Sequence, residues 1–226
     1  IFKSGDKSNI KNYRQICIQS SLTKLFEKIL MSYLSTSFKN VIINQQHGFT
    51  EDRSTATNLF SYVNFISSSL DSGMEVHSIY TDFSKAFDVI SHDILLHKLF
   101  LYGIRDPLLS WLGSYLKGRT QRVNLNGFLS DVIEVSSGVP QGSHLGPLLF
   151  NIYVNDIGQH FDSSFLLYAD DLKLFRCIRS SNDVALLQSD LHTLDRWCKS
   201  NKLYLNSDKC LSLVKGLKII NYAERN

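Results

Sequence analysis

Proline is scarce in this 226-residue chain, with 3 residues, and glycine and cysteine are limited to 12 and 4. That scarcity, beside 43% hydrophobic residues, excludes collagen-like, low-complexity and disordered chains and leaves an ordinary folded globular protein. The cysteines, Cys17, Cys177, Cys198 and Cys210, form no C-x-x-C pair and have no histidine at zinc-finger spacing. They point to reduced thiols in a cell interior rather than to a disulfide framework or a structural zinc site. Long apolar runs are missing too: none approaches the roughly 18 residues that span a bilayer, and no secretory leader is recognisable. An intracellular chain with no membrane partner is expected. Because a basic segment is already under way by Lys3, the chain reads as a piece of a longer polypeptide.

What is present is an uneven charge distribution under a net charge of only +3. Residues 1–40 carry seven basic side chains against Asp6 and Glu27, and residues 196–218 carry six against Asp208. Basic ends around a more acidic middle suit a protein that offers cations to a polyanion while keeping carboxylates at its centre. Solvated helix faces produce the same pattern.

Hydrophobic periodicity gives the elements. Ser21 can cap a helix whose apolar positions Leu22, Leu25, Phe26, Ile29, Leu30, Tyr33 and Leu34 follow helical spacing and predict its buried face. Further helices are predicted over about 54–70, 94–101, from Pro107 to near Gly118, over 147–157, and along the face Val184, Leu187, Leu191, Leu194 and Cys198. Strands are predicted over 76–83, 165–168, 172–175 and 203–205, with a final apolar run over 210–214, and a hairpin over 121–135 turning at Asn126-Gly127. With no internal repeat and no evident linker, these belong to one α+β body.

Asp170 and Asp171 fall at the tip of the hairpin formed by 165–168 and 172–175, where adjacent carboxylates repel and call for cations. A turn preference explains a lone Asp-Asp equally well. Asp82, near the end of another predicted strand, could be brought beside Asp170. Carboxylates are the ligands Mg²⁺ favours, and two such ions can activate a hydroxyl and stabilise a leaving pyrophosphate.

Three ordered segments carry a resemblance: Tyr80-Thr81-Asp82-Phe83-Ser84-Lys85-Ala86-Phe87-Asp88, Gly138-Val139-Pro140-Gln141-Gly142-Ser143, and Tyr168-Ala169-Asp170-Asp171. They resemble motifs A, B and C of reverse transcriptases, and more narrowly those of jockey-like, non-long-terminal-repeat retrotransposons. A given YADD tetrapeptide arises by chance in a chain this long with a probability of about 10⁻³. The segments 1–6 with 12–14, and 46–49 with 54–56, are similar to the family's fingers blocks, and Leu194 to Lys209 is similar to motif D.

The resemblance implies a right-hand polymerase with fingers over about 1–75 and 113–136. The palm, an antiparallel sheet backed by helices, would cover 76–112 and 137–215, with the thumb missing or incomplete. It implies that Asp82, Asp170 and Asp171 are the catalytic carboxylates, and that Asp82, Asp170 and the Phe83 carbonyl bind Mg²⁺, with Mn²⁺ as a substitute. Lys3 and Arg14 would hold the triphosphate, Phe87 would exclude a 2′-hydroxyl, Gln141 would touch the nucleotide, and Lys209 would stand near the leaving pyrophosphate. Gly138, Pro140, Gly142 and Tyr168 would meet template and primer.

The implied activity is RNA-directed DNA polymerisation from dNTPs on an RNA template and a DNA primer, in the cytoplasm and nucleus. Each assignment has a plainer competitor: Phe87 as core, Arg14 and Lys209 as surface charge, Gln141 as a turn residue. The histidines His92, His97, His144 and His160 show no metal spacing and read as structural. Gln15, where the family commonly has proline, and His144, at a usually apolar position, favour an alternative: a folded remnant that at most binds nucleic acid.

Overall fold

The structure, a computed structural model, describes residues 1–220 apart from 4, 10, 11, 14, 126 and 215–217. In chain order the elements are α1 (Ser21–Phe38), α2 (Thr55–Asp71), β1 (Glu75–Asp82), α3 (His92–Leu101), α4 (Leu108–Leu116), β2 (Arg119–Gln121), β3 (Asn124–Leu125), β4 (Phe128–Leu129) and β5 (Ile133–Val135). Then follow α5 (Gly146–Val154), β6 (Ser164–Tyr168), β7 (Asp171–Ile178), α6 (Ser181–Ser200), a 3₁₀ turn (Ser207–Lys209), β8 (Leu211–Val214) and β9 (Lys218–Ile220). Contacts divide the chain into two compact units. One joins Ile1–Val41 to Phe87–Phe150, and the other joins Ile42–Ala86 to the described residues from Asn151 onward.

The second unit is built on an antiparallel sheet of order β6-β7-β1-β8-β9. Its central strand β1 runs in register with β7 from Glu75↔Ile178 to Asp82↔Asp171. Ser54 caps α2 by a reciprocal exchange with Thr57, and the helix packs over β1 and β6. Tyr62 of α2 sits there among Val76, Leu166 and Phe175, its hydroxyl donating to Ser78 Oγ at 2.7 Å. Helix α6 packs on β7 and buries Leu187, Leu194 and Cys198. The strand predicted over 203–205 reduces to a single bridge between Leu205 and Phe83, because Leu203 is drawn into the core.

In the first unit α3 and α4 pack together and fully bury Leu95, Leu99, Leu112 and Leu116. The predicted hairpin is present as two short paired pieces, β2 with β5 and β3 with β4. Helix α1 corrects the sequence reading twice. Its cap is Ser20, whose Oγ accepts from the Thr23 N–H at 3.2 Å, one residue before the expected Ser21. Most of its apolar stripe also faces outward: of the seven predicted positions Leu22, Leu25, Phe26, Ile29 and Tyr33 are exposed, Leu30 is half-buried and Leu34 is buried as expected, together with Glu27 and Phe38. The helix turns this way because the Glu27 carboxylate finds three hydrogen-bond donors inside the unit, described below. Among the described residues no helix is long and apolar enough to cross a membrane.

Candidate active site

Antiparallel register brings the acidic residues together. Asp82 ends β1 and its Cα is paired with that of Asp171, the first residue of β7, which is also paired with Tyr168 at the end of β6. Ala169 and Asp170 make the turn between, Ala169 with a φ of +55°, in the left-handed region. A slip of one residue would send these side chains to the opposite face, so the apolar alternation of the strands fixes the carboxylates as well as the core. Phe83, next after Asp82, is buried with its ring tilted against Trp197.

The pKa of Asp171 is raised from its ordinary value. Asp171 is exposed, yet the protein removes enough of its hydration that desolvation is the first cause raising its pKa. Repulsion from Asp170 and then Asp82 follows, with Lys209 and Lys173 opposing. Lys209, the last residue of the 3₁₀ turn, donates from Nζ to Asp82 Oδ2 at 2.6 Å, and that bond is the first cause raising its own pKa. The turn is fastened to β1: the Asn206 N–H donates to the Asp82 carbonyl at 2.7 Å, and the Ser84 N–H donates to the Tyr204 carbonyl at 2.8 Å.

Three carboxylates with a surplus of negative charge have the donor chemistry of a hard divalent cation. As the side chains stand, among the described residues no group of three or more His, Cys, Asp or Glu is arranged to hold a metal ion. The nearest counter-charge to Asp82 is the Lys209 ammonium.

The 138–143 loop belongs to the first unit and is fastened to the segment that follows Asp82 in sequence. The Val139 N–H donates to the Phe87 carbonyl and the Gly138 N–H to the Ile90 carbonyl, each at 2.8 Å. Gly138 adopts a φ of +81°, and a Cβ there would stand 2.6 Å from the Asp88 carbonyl oxygen, so no other residue fits without backbone movement. Its carbonyl accepts from His92 Nε2 and Arg119 Nη2, each at 2.8 Å. His92 must therefore carry its proton on Nε2; burial, its first cause, lowers its pKa and keeps the ring neutral.

The other expected residues are placed as follows. Phe87 is half-buried and stacks on Phe150 at 4.6 Å between ring centroids. Pro140 is buried, Gly142 exposed, and the Gln141 carbonyl accepts from the Cys17 N–H at 2.9 Å. Lys3 is exposed, its N–H on the Asn12 carbonyl. Arg14 lies outside the described residues. Asp82, Phe83, Tyr168, Asp170, Asp171 and Lys209 thus share the second unit, while Lys3, Phe87, Gly138, Pro140, Gln141 and Gly142 belong to the first.

Sequence reading missed several residues that hold these segments. Glu27, with 0% exposure, accepts at Oε1 from Tyr115 Oη and Gln19 Nε2 and at Oε2 from the His144 N–H, each at 2.7 Å. Burial first, and then the bond to Glu27, push the Tyr115 phenol pKa up. Glu27 stands beside the basic Lys24 and Lys28 in sequence and reads as a solvated charge; its polar contacts lie across the fold and leave no local signal. Arg119 escaped for the same reason, and Gln46 was read only as part of the 46–49 segment.

The model of the family "Reverse transcriptase (RNA-dependent DNA polymerase)" matches residues 3–222. The chain belongs to that family. Over 222 residues, 93% of its length, this reverse-transcriptase domain is 30% identical to the probable RNA-directed DNA polymerase from transposon BS of Drosophila melanogaster. It is 28% identical over 230 residues, 94% of its length, to the RNA-directed DNA polymerase from mobile element jockey of the same species. The chain spans 24% of the length of each of these curated relatives.

Among solved structures it superposes on an apo telomerase from Candida tropicalis, truncated from its C-terminal domain. The TM-score is 0.64 with 12% identity, covering 87% of this chain and 41% of that one. A Candida albicans telomerase in complex with a telomeric RNA fragment gives a TM-score of 0.60 with 16% identity, covering 87% and 36%. At these identities the likeness concerns the fold, a mixed α+β architecture with an antiparallel sheet backed by helices.

Proposed function

We propose that this domain is the RNA-directed DNA polymerase core of a retrotransposon, extending a primer 3′-hydroxyl with dNTPs on an RNA template. The observation that carries the reading is the β1–β7 register, which pairs Asp82 with Asp171 and puts Asp170 in the adjoining turn. In this reading fingers occupy about 1–75 and 113–136 and palm 76–112 and 137–215, and an active element works in cytoplasm and nucleus.

Asp82, Asp170 and the Phe83 carbonyl would hold Mg²⁺, or Mn²⁺ in its place, with Asp171 completing the carboxylate set. Bound there, such ions lower the pKa of the attacking hydroxyl and take up charge on the leaving pyrophosphate. The chain's own side chains supply the rest. Phe87 excludes a 2′-hydroxyl by steric clash, and Gln141 contacts the nucleotide. Gly138, Pro140, Gly142 and Tyr168 line template and primer, and Lys3 and Arg14 hold the triphosphate. Lys209, released from Asp82, gives its Nζ proton to the pyrophosphate. The basic ends bind nucleic-acid phosphates, so affinity falls steeply with salt.

A second reading is a remnant that binds nucleic acid without extending it, favoured by Gln15 and His144 at positions where the family commonly has proline and an apolar residue. Primer extension on poly(rA) with a DNA primer and Mg²⁺ at low salt separates the two. The wild-type chain should extend, and an Asp82→Asn/Asp170→Asn variant should lose about 10³-fold or more of that rate. Equal extension by both would sink the carboxylate assignment. Salt-sensitive binding without extension by either leaves a remnant or a domain that needs its thumb, and extension after downstream sequence is restored decides between them.

A further inference from the structure

The segment 45–48 lies along the outer edge of β6, where Gln46 makes a parallel bridge with Leu167. The His47 N–H donates to the Leu167 carbonyl, and the Leu167 N–H donates to the Gln45 carbonyl, both at 2.9 Å. At the next position the backbone ladder is continued by a side chain. Gln46 Oε1 accepts from the Ala169 N–H at 3.0 Å and from the Gly48 N–H at 2.8 Å, while Nε2 donates to the Ala169 carbonyl at 3.3 Å. One primary amide thus meets both backbone groups of the residue that precedes Asp170.

Three further observations bear on this contact. Gln46 is 1% exposed, so its hydrogen bonds form without competition from solvent. Ala169 has a φ of +55°, a conformation that an L-residue with a Cβ adopts only when its surroundings hold it there. Gly48 approaches so closely that a Cβ on it would stand 2.1 Å from the Ala169 nitrogen. The segment is itself braced: Arg53 Nη1 donates to the carbonyls of Ile43, Asn44 and Gln46 at 2.8–3.0 Å, and Asn151 Nδ2 donates to the Gly48 carbonyl at 2.9 Å.

We infer that Gln46 is a positioning residue for the Asp170-Asp171 turn, acting through Ala169 as a one-residue extension of the sheet. Its amide keeps Ala169 left-handed and so presents Asp170 and Asp171 on the side of Asp82. The chemistry demands an amide. A carboxylate at position 46 could accept from Ala169 but not donate to it, and would add negative charge next to three acidic residues. The inference rests on the polymerase reading only for its consequence, cation binding; the tether itself is independent of that reading.

The test compares the wild-type chain, Gln46→Met and Gln46→Met/Ala169→Gly by two measurements without nucleic acid. Amide hydrogen exchange should show Ala169 losing about tenfold or more of its protection in Gln46→Met while Leu167, bonded to backbone, keeps its own. Mn²⁺ binding, followed by electron paramagnetic resonance, should weaken about tenfold in the same variant, as when a group that orients a ligand is removed. The double variant should recover part of that affinity, because glycine adopts the left-handed conformation without help.

Unchanged Ala169 protection would overturn the tether. Lost protection with Mn²⁺ affinity within twofold of wild type would overturn its positioning role. A wild-type chain that binds no Mn²⁺ overturns the cation-binding part of the polymerase reading and the positioning role with it, while exchange at Ala169 still decides the tether. If Gln46→Met does not fold, Gln46→Ala, which likewise removes the acceptor of the Ala169 N–H and adds no charge, takes its place in both measurements.

Discussion

The 138–143 loop of the first unit and the 168–171 turn of the second are both fastened by side chains distant in sequence, but with opposite chemistry. Ionised groups hold the loop: the Arg119 guanidinium on the Gly138 carbonyl and the Glu27 carboxylate on the His144 N–H, with neutral His92 beside them. Neutral amides touch the turn and its strand, with Gln46 on Ala169 and Asn58 on the Leu167 carbonyl, while the Arg53 guanidinium stands one step back, on the Gln46 carbonyl, with Asn151 on Gly48. A charged tether forms stronger hydrogen bonds, but beside Asp82, Asp170 and Asp171 it would either neutralise a carboxylate or repel one. Where the carboxylates cluster, amides fasten the backbone and the titrating charge is left to Asp and Lys.

The comparison breaks first at its closest contact. Gly48→Ala should destabilise the protein by about 3 kcal/mol, because the new Cβ meets the backbone nitrogen of Ala169 rather than a side chain that can turn aside. The midpoint of urea unfolding measures it, and a midpoint within experimental scatter of wild type would mean that segment 45–48 does not press on Ala169.

The loop comes next. Glu27→Leu leaves the Tyr115 hydroxyl, the Gln19 amide and the His144 N–H without their acceptor and should cost about 2 to 3 kcal/mol, whereas Glu27→Gln, which keeps an acceptor, should cost less than half of that. Equal losses would show that both carboxylate oxygens are needed, since Gln turns one of them into a donor facing a donor.

The smallest effect sharpens the electrostatic half of the contrast. The folded-state pKa of Asp171 is raised above its ordinary 3.8, so the native state holds this proton to higher pH than the unfolded chain does. Its contribution to stability therefore declines as pH rises from about 4 through the raised folded value, and the penalty is complete above it. Asp171→Asn should raise stability at pH 7 by up to about 1 kcal/mol, a figure reduced by solvent screening at an exposed side chain. The gain should vanish near pH 3. A thermal-melting series without metal ions tests this, and an equal difference at both ends would separate the effect from ionisation.

How much of this was legible depended on whether a residue's partner lay near it in sequence. Apolar and β-branched runs placed β1, β6 and β7 to within a few residues, since such composition is local, and Asp82 was expected beside Asp170; its pairing with Asp171 comes from the register. The start of α2 was legible to within a residue, at about position 54. The buried face of α1 was legible only at Leu34: most of its apolar residues lie on the face that the structure exposes, and two of the three donors to the buried Glu27, Tyr115 and His144, lie far along the chain. Gln46 was noticed as part of a segment, yet no spacing rule connects an amide to a backbone 123 residues away.

That separation has a consequence for the chain while it is being made. A ribosome adding about 5 to 20 residues per second needs on the order of ten seconds to travel from Gln46 to Ala169. Throughout that interval Gln46 has neither of the Ala169 groups it will bind, and α2 and β1 emerge beside an edge whose outer strand does not yet exist. The acidic turn therefore acquires its final shape only once the nascent chain can fold back on a segment that left the ribosome long before.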